Sequence, residues 1–210
     1  MFKKIYIIED DPFAITPLFQ RMLNFYVRIK QRVEVNFIIL QKTEDFYLAA
    51  MKEMEDTYKK AEAKFKRDGK DVTEYFKFNK SECVFIKIPD HIYSEQLYTD
   101  IVKDVTSHIN QNNSIVMIDV VLVTDDGIDE KRLKMIEPEP VLSHYLYNHT
   151  FIRQHGVVYT NYRPDVHIGR KWLDVLVRLG DRTKPVVYYR ENMDGSSGIP
   201  SDFLNMLLTK

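Results

Sequence analysis

SIVMIDVVLVTDDG, residues 114–127, decides how the chain is read. An apolar run, Ile115 to Ile118, meets Asp119 and then continues through Val120, Val121, Leu122 and Val123. A carboxylate inside such a run is costly unless something pairs it. The amino-terminal stretch MFKKIYIIEDDPF, residues 1–13, poses a related question, because its apolar run Ile5 to Ile8 ends in Glu9, Asp10 and Asp11. Either that strand leaves the core there, where acids are cheap and a following helix welcomes them, or the charges converge on a cation. In a parallel α/β sheet, ligands bind outside the carboxyl ends of the strands, near the point where strand order reverses. If the two acid-terminated strands are neighbours, three acids meet at that edge and repel one another, and a hard divalent cation removes the conflict.

The other apolar runs fit such a sheet. VEVNFIIL (33–40), ECVFIKI (82–88), GVVYT (156–160) and PVVYY (185–189) are mostly continuous rather than alternating, as strands buried on both faces are. Helical patterns lie between them. Thr16 followed by Pro17 predicts an N-cap and first helical position for PLFQRMLNFYVRIKQR. Ser94 predicts the cap of SEQLYTDIVKDVTSHIN, whose apolar positions Leu97, Ile101, Val105 and Ile109 recur every four residues. GRKWLDVLVRLG closes on Gly180, and a short last helix, PSDFLNMLL, follows the loop MDGSSGIP (193–200). This alternation predicts an α/β sandwich with a mainly parallel sheet.

One segment exceeds a minimal sandwich. TEDFYLAAMKEMEDTYKKAEAKFKRDG (43–69) reads as a charged helix, with Tyr47, Met51, Met54, Tyr58, Ala61 and Phe65 in a coiled-coil rhythm. At 1.5 Å per residue it is about 35 Å long. Its stripe packs either on its own chain or on a second protomer or partner helix. EYFKF and ECVFIKI, separated by the turn residues NKSE, suggest a hairpin, and either VEVNFIIL or ECVFIKI can serve as the second strand.

Composition excludes several classes. Lys+Arg 30 against Asp+Glu 31 gives no global basic field, so nothing in the charge balance argues for nucleic acid. No apolar run is long enough to span a membrane, and no cleavable signal pattern opens the chain, so a cytoplasmic location is expected. The single Cys83 rules out an internal disulfide and reads as a small buried hydrophobe. The six histidines form no metal-ligand pair such as HExxH, and no phosphate-binding glycine loop is present. Trp172 reads as a core or partner-facing residue, and the nearby Arg170, Lys171, Arg178 and Arg182 as a solvated face.

With IYIIEDDP at its start, Asp119, Leu122 and Gly127 in their spacing, and GVVYTNY further on, the chain resembles the receiver domain of bacterial two-component response regulators. The resemblance implies a flavodoxin-like receiver fold, a three-layer α/β sandwich whose five-stranded parallel sheet has the order 2-1-3-4-5. Residues 1–210 would form a single domain, with a helical and hairpin insertion at about 43–110. It implies that Asp119 accepts a phosphoryl group and that Mg2+ is held by Glu9, Asp10, Asp119 and the carbonyl of Val121. Thr160 would hydrogen-bond the phosphoryl group. For the cationic side chain the family uses a Lys followed by Pro at the carboxyl end of the fifth strand. Lys184-Pro185 has that sequence but precedes the strand VVYY, whereas Arg190 follows it; Arg190 is the choice, with Lys184 the alternative. Val123 stands where Pro is usual and Asn161 where a small residue is preferred.

The implied role is a phosphorylation-controlled interaction module. It is loaded by a histidine kinase, phosphotransfer protein or small phosphodonor, turns over no external substrate, and signals to a downstream protein partner. A homodimer through the 43–67 helix is one route for that signal. Two rivals stand beside it: a pseudo-receiver that works unphosphorylated as a binding or dimerisation scaffold, and a metal-dependent phosphohydrolase or nuclease built on the same acids.

Overall fold

The computed structural model describes residues 1–10, 12–89, 94–118, 142–160, 187–189 and 201–209. Among these residues the centre is a parallel sheet of seven strands: β1 (Lys3–Glu9), β2 (Val33–Gln41), β3 (Phe76–Phe78), β4 (Val84–Lys87), β5 (Ser114–Ile118), β6 (Gly156–Thr160) and β7 (Val187–Tyr189). Their order is β3-β2-β1-β5-β6-β7, with β4 also paired to β2. The α/β class and the parallel sheet expected from the sequence are therefore present. Five strands in the order 2-1-3-4-5 are corrected to seven, because both short segments after the long helix join the outer edge of β2.

That edge also corrects the expected hairpin. Phe76–Phe78 pairs in parallel with Val33–Val35, and Val84–Lys87 pairs in parallel with Ile38–Gln41. Both segments thus run the same way along one neighbour. Between them the turn residues offset the chain instead of reversing it. Lys80–Glu82 forms a single 3-10 turn, capped by the Asn79 side chain, which accepts hydrogen bonds from the Ser81 N–H (3.1 Å) and hydroxyl (2.7 Å). At this interruption β2 lacks a strand partner on its outer edge among the described residues, and the Cys83 thiol donates to the Asn79 carbonyl at 3.6 Å. Cys83 is buried as expected, and burial pushes its thiol up to about 11.

Helices cover both faces. On one lie α1 (Pro12–Ile29), α2 (Glu44–Arg67) and α6 (Ser201–Thr209); on the other lie α3 (Glu95–Ser107), α4 (Leu142–Asn148) and α5 (Thr150–His155). Strand alternation divides the core accordingly. Ile5, Ile7, Val33, Val35, Phe37, Ile39, Ile115 and Met117 face the first layer, whereas Tyr6, Ile8, Ile38, Leu40, Val116 and Ile118 face the second. The continuous apolar runs of β1, β2 and β5 are explained: these strands are covered on both sides.

The 24 residues of α2 close against their own chain. Met51 and Met54 are fully buried, and Tyr47, Tyr58, Ala61 and Phe65 pack against the same core. The two tyrosines keep their hydroxyls satisfied at the edge strands, donating to the carbonyls of Cys83 and Phe76, each at 3.1 Å. Glu44 and Asp45 in its first turn and Lys64, Lys66 and Arg67 in its last oppose the helix dipole. Gly69 then adopts φ +69°, and the N–H groups of Gly69 and Lys70 donate to the carbonyls of Lys66 and Phe65, so the helix ends in a Schellman motif.

Ser94 caps α3 as the sequence predicts, accepting from the Leu97 N–H at 3.3 Å, and Ile101, Val105 and Ile109 are buried beneath it. The start of α1 is corrected. The helix begins at Pro12, so Pro12 takes the favoured first position and Pro17 lies inside the helix. Thr16 is consequently no cap; its hydroxyl donates to the Glu53 carboxylate at 3.2 Å and ties α1 to α2. The helix expected around Trp172 and the loop 193–200 lie outside the described residues.

Candidate functional site

The chain passes from β1 to β2, on to the edge strands, and then back across to β5 on the opposite side of β1. The direction of winding reverses at β1. The carboxyl ends of β1 and β5 thus lie at the switch point in strand order, where an α/β sheet accommodates ligands. The register fixes which residues reach that edge. One row runs across four strands, pairing Ile8 with Ile118, Ile118 with Val158, and Val158 with Val187. Glu9 and Asp10 follow this row directly on β1. Thr160 lies two residues beyond it on β6 and pairs with Tyr189 on β7.

Glu9 is 1% exposed, the one acidic side chain among the buried residues described. A carboxylate so buried is tolerated only with compensation. The Asp10 N–H supplies one such contact, donating to Glu9 Oε1 at 3.2 Å. Asp10 is half-buried at a bend in the chain. Its carbonyl accepts a hydrogen bond from the side-chain amide of Gln41, the last residue of β2. Gln41 was not among the residues singled out by sequence, because a lone glutamine 31 positions away carries no local motif. Its one signal is that a polar residue ends an apolar strand.

Glu9 and Asp10 thus follow one another at the switch point. Two adjacent carboxylates are hard oxygen donors and fit Mg2+ better than a soft metal. Among the described residues no group of three or more His, Cys, Asp or Glu side chains is placed to hold a metal. The other expected ligands, Asp119 and Val121, lie outside the described residues, as do Asp11, Leu122, Val123, Gly127, Asn161, Lys184 and Arg190. Thr160 is described as the last residue of β6 by its backbone alone. In chain order Asp119 is bonded to Ile118, Arg190 follows β7, and Lys184 precedes it. No described helix is long and apolar enough to cross a membrane.

No protein-family model matches the chain, and no curated protein does. Among solved structures, one from a study of bisubstrate glycomimetics of trehalose-6-phosphate synthase is similar to it, at 10% identity and a TM-score of 0.30. The similarity covers 85% of this chain, which spans 42% of the other, and at that TM-score it carries no argument about activity.

Proposed function

We propose that the chain is a signalling receiver module that accepts a phosphoryl group on Asp119 in a Mg2+-dependent reaction and thereby switches its contacts with other proteins. The observation that carries this reading is the burial of Glu9, beside Asp10, at the carboxyl end of the strand where the sheet reverses. Strand order supports it as well. With the two short edge strands set aside, β2-β1-β5-β6-β7 is compatible with the order 2-1-3-4-5 expected of a receiver.

In this reading a carboxylate oxygen of Asp119 attacks the phosphorus of a phosphohistidine or a small acyl phosphate. The new O–P bond makes an aspartyl phosphate as the donor's P–N or P–O bond breaks, and the donor departs with the electron pair. Glu9, Asp10, Asp119 and the Val121 carbonyl would hold Mg2+, which neutralises charge on the phosphoryl oxygens when bound. The Thr160 hydroxyl would donate to a phosphoryl oxygen, and the Arg190 guanidinium would clamp the group. A histidine kinase or phosphotransfer protein in the cytoplasm supplies the phosphoryl group, and a protein partner reads the change.

The test is intact mass after incubation with Mg2+ and acetyl phosphate, for wild type and Asp119→Ala. One phosphoryl adduct on wild type and none on the variant is expected. No adduct on folded wild type would overturn the reading in favour of an unphosphorylated scaffold. An adduct retained by the variant would move the acceptor elsewhere.

A further inference from the structure

Resting on that reading, we infer that Gln41 is the positioning residue of the acidic pair, and that it couples the added edge strand to the metal-binding end of the sheet. The β1–β2 ladder ends at Glu9 opposite Ile39, and the chain bends at Asp10. Past that point the Gln41 side chain takes over from the backbone by donating to the Asp10 carbonyl. The Asp10 N–H meanwhile donates to Glu9 Oε1. Both main-chain polar groups of Asp10 are therefore engaged, one inside β1 and one across to β2. Fixing the peptide units on either side of Asp10 sets the direction in which its carboxylate leaves the chain.

Gln41 is itself held from the other side. Its backbone pairs with Lys87, and its carbonyl accepts from the Ile88 N–H at 2.9 Å, just beyond β4. The upstream end of β4 is in turn fastened to α2 through the Tyr47 hydroxyl and the Cys83 carbonyl. A continuous set of hydrogen bonds thus runs from α2 through the edge strand and Gln41 to Asp10. Its geometry is that of an outer-shell support, a group that orients a ligand without touching the metal. A contact that shifts β4 or the start of α2 changes the grip on Asp10.

Mn2+ binding followed by the EPR signal of the free ion tests this directly, on the full chain, for wild type, Gln41→Met and Asp10→Asn. Methionine keeps the length of the side chain and removes its donor. Gln41→Met should bind Mn2+ roughly tenfold more weakly, in line with outer-shell losses at other metal sites, while its circular dichroism spectrum stays that of wild type. Asp10→Asn should lose binding. If Gln41→Met stays within about twofold of wild type while Asp10→Asn fails, the positioning role is refuted and the receiver reading stands. If wild type itself does not bind Mn2+, both fall together.

Discussion

Truncating Met51 to alanine asks whether the α2 stripe is held by its own chain. Met51 is fully buried with Met54 in the core layer shared by α1 and β2, so the change removes three heavy atoms from a packed interior. Core Met→Ala changes cost about 2–5 kcal/mol, through lost transfer energy and the cavity left behind. Alanine's better helix propensity returns only about a tenth of that. For a chain of this size each kcal/mol lowers Tm by about 2–4 °C, so a loss of about 3 kcal/mol lowers it by roughly 6–12 °C. Urea unfolding followed by circular dichroism gives the free energy, with exposed Lys52→Ala as the neighbouring control, expected within about 0.5 kcal/mol of wild type. The midpoint should not move over about a hundredfold range of protein concentration. A Met51→Ala cost below about 1 kcal/mol would refute the packing argument. A midpoint that rises with concentration would mean that a second protomer helps hold the stripe.

Two further outcomes follow from single contacts. A Cβ on Gly156 would lie 2.3 Å from the Ile152 carbonyl oxygen, a backbone atom that cannot swing away, so Gly156→Ala should lose about 2 kcal/mol or more in the same unfolding assay. Burial raises the Cys83 thiol from 9.0 to about 11; between those values the unfolded chain has lost a proton that the folded chain keeps, and stability falls as pH rises. Wild type should therefore lose roughly 2 kcal/mol relative to Cys83→Ala between pH 8 and pH 11, and equal losses in the two proteins would rule out the linkage.

What the sequence revealed and what it hid have physical reasons. β1, β2, β5 and β6 were legible because strands covered on both faces must be apolar throughout, and Ser94 was legible because a cap acts within one turn. The start of α1 was misplaced because two prolines compete. Thr16-Pro17 has the stronger local pattern, yet the helix starts at Pro12 and Pro17 lies inside it, where it cannot donate to the Phe13 carbonyl. The edge strands were misread because Asn79 and its neighbours announce a turn without saying whether the chain reverses or merely steps sideways. At the site, Glu9 and Asp10 were visible as charges where a buried strand ends. Gln41 was not, since its role depends on which strand lies beside β1, a tertiary fact.

The stepped edge along β2 also bears on how the protein behaves at high concentration and during folding. A single uninterrupted strand there would offer a long straight row of N–H and C=O groups, a template for another chain to extend. Instead the row is cut into segments of three and four residues displaced by a 3-10 turn, with exposed Lys77 and Lys87 on the two segments. Short, offset segments that each carry an exposed lysine are poor templates for an incoming strand. The break that obscured this edge in the sequence thus guards the folded sheet against open-ended strand addition.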